Sequence, residues 1–303
     1  MHIAVIIPAY NVAPYLRDAM VSVLRQTHPD WSMVVVDDGS TDATASLAAA
    51  IRDPRISLIR QNNAGVSVAR NRGIAAAAGD ACLFLDADDW LAPNALATLA
   101  AALGACPHAN VASGSYARVS PDGRARVAPR PPQGDLLRHL LVRNLFANGG
   151  HLLIRRSAID AAGWFRADLR YGEDWEYWTR LAAEGTFVTA VSRAPVLFVR
   201  ERPGSACLRM ATDPESFVPA LDAIFANPAL PERIGATRLA ALRRRAEAEA
   251  AWVIGRELIR HGRRRDGRRW LARSLWRAPA PKRFLLAALS GTGTGPFRPY
   301  RCD

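Results

Sequence analysis

ACLFLDADD, residues 81–89, passes from an apolar run directly into three carboxylates. The apolar run has the length and composition of a buried β-strand, so Asp86, Asp88 and Asp89 follow the C-terminal end of that strand. In open α/β sheets, ligands bind in the crevice beyond the C-terminal ends of the strands. The segment therefore predicts a buried strand with a ligand site at its end.

On both sides of this segment, short β-rich runs alternate with runs in which Ala, Leu and Arg recur at helical spacing. Such alternation is typical of βαβ units. We therefore expect an α/β fold with a doubly wound, mostly parallel sheet flanked by helices. The pattern predicts strands at residues 3–7, 33–36, 56–59, 81–85, 111–116, 152–155, 187–191 and 196–200, and a hairpin near 121–123. It predicts helices at residues 15–24, 43–51, 66–78, 94–103, 136–142 and 172–184, and one that opens at 157.

The three carboxylates at positions 86, 88 and 89 would repel one another unless a cation or solvent compensates their charge. Mg²⁺ in particular is usually held by one or two carboxylates together with the phosphates of a substrate. A site for a metal ion and a diphosphate is the simplest interpretation of this cluster.

Two other acidic segments allow both a structural and a functional interpretation. Residues 37–42, DDGSTD, follow a predicted strand and form either a turn with a helix cap or a ligand site. Glu173 and Asp174 open a predicted helix, where the helix dipole favours acidic residues, so they are either capping residues or functional. Aromatic residues flank Asp174, and they would suit sugar rings and raise the pKa of its carboxyl group toward that of a working base. These aromatic residues are Tyr171, Trp175, Tyr177 and Trp178.

Five segments together resemble the inverting glycosyltransferases of family 2, which have the GT-A fold, and in particular those of bacterial cell-surface polysaccharides. The segments are residues 6–11, 35–42, 65–71, 84–89 and 172–174. They occur in the family's order and cover roughly the first two thirds of the chain. One segment alone would be weak evidence, whereas five in order are specific.

The resemblance implies a role for each matching residue. Asp86 and Asp88 match the family's D-x-D element and would hold Mg²⁺ or Mn²⁺, with Asp89 supporting the site. Asp174 falls on the position of the catalytic base, with Glu173 beside it. The residues implied to bind the nucleotide sugar are Pro8, Tyr10, Asn11, Asp37, Asp38, Arg70, Asn71 and Asp86. His151 is also counted among the nucleotide-sugar contacts, residues 149–151 fit the strand on the acceptor side, and residues 202–205 resemble a loop that closes over the diphosphate.

The activity implied by the resemblance is a metal-dependent, inverting glycosyl transfer of the hexosyltransferase type. The donor would be a nucleotide sugar, with UDP the commonest nucleotide, and the acceptor a hydroxyl of a glycan or lipid-linked sugar in cell-surface polysaccharide synthesis. Asp174 would remove the acceptor proton while the sugar is displaced from its diphosphate. A non-catalytic GT-A-like scaffold is the alternative, and the presence of Asp88 and Asp174 argues against it.

The charge of the chain is unevenly distributed. Its formal net charge is +12, and residues 238–283 hold fifteen Lys or Arg and four acidic residues, a local net charge of +11. We therefore predict a GT-A domain at residues 1–212 and an Arg-rich helical region at 213–303. That region is either a helical hairpin with a solvated basic face or an element that attaches to anionic lipid. No nucleic-acid-reading module accompanies the charge, so we expect no nucleic-acid partner.

Composition also indicates a compartment. No run of about 18 apolar residues occurs, so the sequence predicts no membrane-spanning helix. The four cysteines are far apart and form no C-x-x-C pair, which favours neither a zinc site nor a disulfide framework. We expect a cytoplasmic protein that is soluble or peripheral on the inner face of the cell membrane.

Overall fold

The computed structural model describes residues 1–202, 214–279 and 283–284. The chain divides into two compact units. The first comprises residues 1–137 and 145–202, and the second comprises residues 138–144 and those after 202. The domain boundary predicted at residue 212 lies outside the described residues and stays a prediction.

The first unit contains a seven-stranded and a four-stranded sheet. In chain order its strands are β1 (Ile3–Ala9), β2 (Trp31–Asp37), β3 (Ile56–Arg60), β4 (Ala81–Phe84), β5 (Trp90–Leu91), β6 (Ala109–Ser113), β7 (Tyr116–Val119), β8 (Ala125–Val127), β9 (Leu152–Arg155), β10 (Thr186–Thr189) and β11 (Leu197–Arg200). The larger sheet has the order β10-β6-β9-β4-β1-β2-β3. All its neighbouring strands are parallel except β9, which is antiparallel to both β4 and β6. The predicted parallel-rich α/β fold is therefore confirmed.

Helices flank the sheets. In the first unit they are α1 (Ala13–Leu24), α2 (Thr44–Ala50), α3 (Val66–Ala76), α4 (Ala95–Ala105), α6 (Arg156–Ala162) and α7 (Glu173–Glu184), whereas α5 (Leu137–Leu140) belongs almost wholly to the second unit. α1 begins with Pro14 in its first turn and buries Leu16, Met20 and Val23, which recur at the spacing of one helix face. Each such side chain stabilises the fold by about 1.5–3 kcal/mol when it is removed from water. The core therefore lies between the sheet and this helical layer.

The single strand predicted at residues 111–116 is wrong. The chain instead leaves the larger sheet after Ser113 and enters the smaller one at Tyr116. At the bend, a Cβ on Gly114 would lie 2.5 Å from Val196 Cγ2, so only glycine allows this approach. The four-stranded sheet, with the order β5-β11-β7-β8, begins at this bend. It includes the β7–β8 hairpin, which confirms the turn predicted near 121–123.

The described residues of the second unit are mostly helical, as predicted. The helices are α8 (Val218–Phe225), α9 (Leu230–Ile234), α10 (Ala236–Arg260) and α11 (Arg264–Arg277). α10 and α11 pack closely, since a Cβ on Gly267 would lie 2.6 Å from the carbonyl oxygen of Gly255. Within the described ranges, we find no helix with the length and apolar character needed to span a bilayer.

Candidate active site

Three neighbouring parallel strands bring the predicted site segments to one edge of the sheet. β1 lies between β4 and β2, with Ile6 opposite Phe84 and Ala9 opposite Asp37. The loops that follow these strands therefore lie side by side, because the strands run in the same direction. The edge carries an acidic loop after β4, Tyr10 after β1, and a pair of carboxylates at the end of β2.

The two carboxylates at the end of β2 make hydrogen bonds within the protein. Asp38 is buried and accepts hydrogen bonds from Gln61 Nε2 at 2.7 Å, the Ala64 amide at 2.9 Å and the Gly65 amide at 2.8 Å. Asp37 is buried beside it and accepts from the Ser40 amide and from Arg60 Nε. Both carboxylates therefore hold loops in place, and Asp38 fixes the loop that leads into α3.

Of the predicted nucleotide contacts at the end of β1, Tyr10 and Asn11 are exposed. Pro8, in contrast, is buried within β1. Asn11 adopts a positive φ of 48°, and its side-chain oxygen accepts hydrogen bonds from the Thr41 amide at 2.9 Å and the Thr41 hydroxyl at 3.3 Å. Asn11 therefore connects the loop after β1 to the loop after β2. The exposed side chain of Tyr10 lies beside these loops, where it can contact a ligand.

Arg70 on α3 connects the acidic loop after β4 to the start of α7. Its side chain is almost fully buried, and it donates from one terminal nitrogen to Asp86 Oδ1 and from the other to Glu173 Oε1, each at 3.0 Å. Burial disfavours a lone guanidinium, but the carboxylates around Arg70 more than offset that cost and raise the pKa of its guanidinium. The structure thus brings together three residues that are far apart in sequence.

Asp174 lies in the first turn of α7, next to this buried ion pair. Gly172 adopts the left-handed conformation just before the helix, and the Trp175 amide donates to Asp174 Oδ1. Burial raises the pKa of the Asp174 carboxyl group to about 7, and repulsion from Glu173 adds to this, while Arg70 opposes it. A carboxyl group with such a pKa can accept a proton near neutral pH.

The three carboxylates after β4 differ in their surroundings. Asp89 is buried and accepts from the Arg200 amide at 2.9 Å and from Asn148 Nδ2 at 2.6 Å. Burial and the neighbouring carboxylates raise its pKa well above the usual value. Asp89 therefore connects the loop to β11 and to the Gly149–His151 turn, and its role in supporting a metal site stays a prediction.

Asp86 and Asp88 are the more accessible members of the cluster. Their side chains are 30% and 22% exposed, and Asp88 Oδ2 accepts from Arg202 Nε. Burial raises the pKa of Asp86, and Arg70 opposes this shift. In the described part of the chain, no three His, Cys, Asp or Glu side chains form a metal-binding group. The two oxygen donors fit Mg²⁺ or Mn²⁺ as a cation that takes its other ligands from phosphate and water.

Asn71 and His151 were predicted to face the substrates, but the structure gives both of them internal partners. Asn71 makes two hydrogen bonds to the backbone of Phe165, at 2.8 and 2.9 Å. His151 is fully buried: Nδ1 lies 2.8 Å from the Gly114 carbonyl oxygen, and Nε2 accepts from the Ala147 amide. A carbonyl only accepts and an amide N–H only donates, so the ring is neutral with its proton on Nδ1. Neither ring nitrogen is left for a substrate.

The aromatic residues that follow Asp174 pack in the core instead of forming a wall for sugar rings. Trp175, Tyr177 and Trp178 are each at most 5% exposed. Tyr177 stacks on Phe165 with ring centroids 3.9 Å apart, and Phe165 meets Phe84 edge to face. The predicted aromatic wall is therefore wrong, since α7 buries this face against Phe165, which in turn contacts Phe84 of β4. The aromatic cluster anchors α7 and thereby fixes the position of Asp174.

Arg200 and Asn148 are site residues that sequence reasoning missed. Arg200 Nε donates to the backbone oxygen of Asp88, and its guanidinium lies over the rings of Tyr15 and Trp90, at 5.2 and 4.7 Å. Asn148 bridges Asp89 and the Gly150 amide. A weak signal for Asn148 was its position directly before two glycines, whereas Arg200 ends an ordinary strand and gave none.

A family model described as glycosyl transferase family 2 matches residues 4–163. The chain is similar to the uncharacterized glycosyltransferase EpsJ of Bacillus subtilis, with 31% identity over 67% of this chain and 62% of EpsJ. It is also similar to the glycosyltransferase GlyA of Streptococcus pneumoniae, with 43% identity over 32% of this chain and 14% of GlyA. The chain thus spans less than two thirds of these relatives.

Two solved structures resemble the fold. Staphylococcus aureus TarS 1–349 in complex with UDP-GlcNAc superimposes with a TM-score of 0.59 at 17% identity, over 100% of this chain and 94% of that one. The mannosyltransferase PcManGT from Pyrobaculum calidifontis, in complex with GDP-Man and Mn²⁺, gives a TM-score of 0.59 at 22% identity, over 98% and 82% of the chains. At these identities the similarity shows a shared fold.

Proposed function

The chain belongs to glycosyl transferase family 2, and we infer from this membership and from its site that it moves a sugar from a nucleotide-sugar donor to a hydroxyl of a glycan or lipid-linked acceptor. One observation carries the proposal. Asp174, whose carboxyl pKa is about 7, lies next to the ion pairs through which Arg70 joins the start of α7 to the acidic loop after β4. A proton acceptor and a polar loop suited to a diphosphate thus lie in one site.

We propose a UDP-sugar as the donor, and synthesis of cell-surface polysaccharide as the setting. TarS is a structural neighbour that binds UDP-GlcNAc, although PcManGT binds GDP-Man, so the family fold accepts both nucleotides. In this chain, the side chains of Tyr10 and Asp86 are accessible beside the loops that Asn11 and Asp38 hold. We expect the nucleoside to lie against these loops.

We propose that Asp86 and Asp88 hold Mg²⁺ or Mn²⁺. Such a cation, when bound, offsets the negative charge that develops on the departing diphosphate. Asp88 is paired with Arg202, so we expect metal and donor binding to redistribute that ion pair. Both side chains of the Asp88–Arg202 pair are partly exposed. Breaking this pair therefore costs less free energy than breaking the buried pairs of Arg70.

In the proposed reaction, Asp174 accepts the proton of the acceptor hydroxyl as that oxygen attacks the anomeric carbon. The bond from this carbon to the diphosphate breaks on the opposite face, so the configuration of the sugar inverts. Glu173 is held by Arg70 beside Asp174, and repulsion between the two carboxylates raises the pKa of Asp174 and so favours its uptake of a proton. General-base assistance of this kind typically contributes about 10² to 10⁴ in rate.

The test is Asp174→Asn, which preserves the shape of the side chain but cannot take a proton near neutral pH. We expect sugar transfer to fall by at least about 10², with donor affinity within a few-fold of wild type. Asp160→Asn on α6 makes the same change at an exposed position and should leave transfer unchanged. If Asp174→Asn transfers sugar at the wild-type rate, Asp174 is only a helix-capping residue. If wild-type protein binds no nucleotide sugar, the chain is a non-catalytic scaffold.

We further propose that the enzyme works in the cytoplasm, attached peripherally to the inner face of the cell membrane. The net charge of +12 supports this location, because the cytoplasmic leaflet of a membrane carries anionic lipids. A lipid-linked acceptor would be presented at that surface.

A further inference from the structure

The arginines of the second unit fall into two groups. One group pairs with glutamates of α10: Arg243 and Arg277 pair with Glu247, Arg256 and Arg260 pair with Glu257, and Arg283 pairs with Glu249. These pairs involve at least one partly or fully buried side chain and hold α10 and its neighbours together. The three glutamates offset only part of the charge of these five arginines.

Five exposed arginines of a second group lie along one side of α11. A rotation of about 100° per residue places all the exposed residues of this helix within one half of its circumference. They are Arg264, Arg265, Arg268, Arg269, Ala272, Arg273 and Trp276, and we call this surface the basic face. The opposite side buries Gly267, Leu271 and Ser274. Asp266, the acidic residue of α11, lies off the basic face and is paired with Arg263 at 2.9 Å and with Arg269 of the basic face at 3.9 Å.

Trp276 gives the basic face an apolar end. Its side chain is 83% exposed, the highest value for a described tryptophan, and Phe284, which follows α11, is 56% exposed. Exposing an indole ring to water forgoes the burial of a large apolar side chain. Packing in a hydrophobic core does not explain the exposure of Trp276. Tryptophan side chains are, however, favoured at the boundary between water and lipid.

We propose that the basic face of α11 docks on the surface of an anionic lipid bilayer, with its guanidinium groups against lipid phosphates and Trp276 in the headgroup region. This inference deepens the peripheral location proposed above and rests on it. Arginine binds phosphate oxygens through two parallel N–H groups, which suits a surface of phosphodiesters. The helix is about 21 Å long, so it can lie flat and present all its charges to the same plane.

The composition of the basic face favours a bilayer over a nucleic acid. The exposed half of α11 holds arginine, alanine and tryptophan, and it lacks the Asn, Gln, Ser and Thr that commonly accompany arginine in reading bases. Its charges spread over half of the circumference, and its aromatic side chain stands at one end. Protein surfaces that bind single strands instead place several aromatic rings in succession along a basic groove.

The test uses full-length protein and vesicle flotation. We compare vesicles of phosphatidylcholine with 30% phosphatidylglycerol and vesicles of phosphatidylcholine alone, at low and high salt. Wild-type protein should float with the anionic vesicles at low salt. The variant R264Q/R265Q/R268Q removes three arginines whose side chains make no ion pair within the described part of the chain, and it should bind these vesicles about 100-fold more weakly. The variant R52Q/R233Q/R238Q removes the same charge from exposed positions outside α11, and we expect it to bind within about 3-fold of wild type.

W276A tests the apolar part of the contact and should weaken vesicle binding by about 10-fold. Absence of wild-type binding at low salt would overturn the proposal, as would an equal loss in the two triple variants. Preferential binding of single-stranded RNA over anionic vesicles would also overturn it and assign the face to nucleic acid. Donor binding, followed by thermal shift without vesicles, should be equal in all variants. A failure of donor binding in wild type would contradict the proposed activity without bearing on the basic face.

Discussion

Arg70 is the residue on which the geometry of the site depends most directly. A lysine at this position keeps the charge but cannot reach both Asp86 and Glu173, because it lacks the two terminal nitrogens of arginine. We expect Arg70→Lys to lower the free energy of unfolding by about 1–3 kcal/mol and the rate of sugar transfer by about 10- to 100-fold. Initial rates and chemical unfolding measure the two effects.

The neighbouring Arg72 supplies the control for this prediction. It lies exposed on α3, so Arg72→Lys should leave stability and rate close to wild type. A wild-type rate in Arg70→Lys would mean that the two ion pairs of Arg70 contribute only to the fold.

His151 gives the protein a defined response to acid. Burial lowers the pKa of its ring from 6.5 to about 4, so the unfolded chain binds a proton between these values while the folded protein does not. Stability is therefore lost as the pH falls from about 7 through 4, and the loss between pH 7 and pH 5 is about 2 kcal/mol. His151→Gln, which does not titrate, should remove that part of the pH dependence of urea unfolding.

The exposed His108 is the matched control, because its replacement by Gln should keep the full pH dependence. An unchanged slope in His151→Gln would show that the ring is protonated without unfolding, and would contradict the neutral state assigned to it.

The acidic residues of the site could be predicted from sequence because most of them directly follow an apolar strand or open a helix. The internal roles of Asn71 and His151 could not, because their partners lie 94 and 37 positions away in the chain. Local pattern identifies which side chains reach the edge of the sheet. It does not identify which of these side chains will make hydrogen bonds within the fold.

The close packing of α10 and α11 is a feature of two elements, and it depends on glycines. Gly267→Ala would place its Cβ 2.6 Å from the Gly255 carbonyl oxygen, so the helices must move apart. We expect the second unit to lose about 1–3 kcal/mol of stability, which is the usual cost of overpacking. Gly104→Ala on α4, where nothing lies within 4 Å, should instead stabilise the protein by up to about 1 kcal/mol.

Thermal unfolding followed by circular dichroism distinguishes these two substitutions by the sign of the shift. Equal shifts would mean that the helices adjust to the added methyl group, and that the close approach at Gly267 is not required.

Most helices and strands could be predicted from the periodicity of apolar residues. The direction of each strand within the sheet could not be predicted in this way. The alternation of strands and helices favours parallel pairing, yet β9 runs antiparallel between β4 and β6. The residues 152–155 are as apolar as a parallel strand, since both kinds are buried here on both faces. The break between β6 and β7 was missed for a similar reason, because it depends on Val196, a residue distant in sequence.

At the scale of the whole molecule, donor binding should stabilise the folded protein. A nucleotide sugar at 100 times its Kd stabilises by about 2.7 kcal/mol, which raises the Tm by about 5 °C for a chain of this size. We expect a UDP-sugar with Mn²⁺ to give the largest shift in a thermal-shift screen of nucleotide sugars. Asp88→Ala should reduce the dependence of that shift on metal. A shift of the same size with and without metal in wild type would contradict the proposed role of the D-x-D element.

The interior position of β9 in the larger sheet affects when that sheet can form while the ribosome synthesises the chain. The ribosome delivers β1 to β4 first, but β6 pairs with β9 and not with β4. The sheet therefore keeps an open edge at β4 until Leu152–Arg155 have emerged, on the order of 10 s later at usual rates of translation. During that interval the nascent chain offers β4 to any other extended chain nearby. Codons that slow the ribosome between β4 and β9 would prolong this exposure, whereas slow codons after β9 would not.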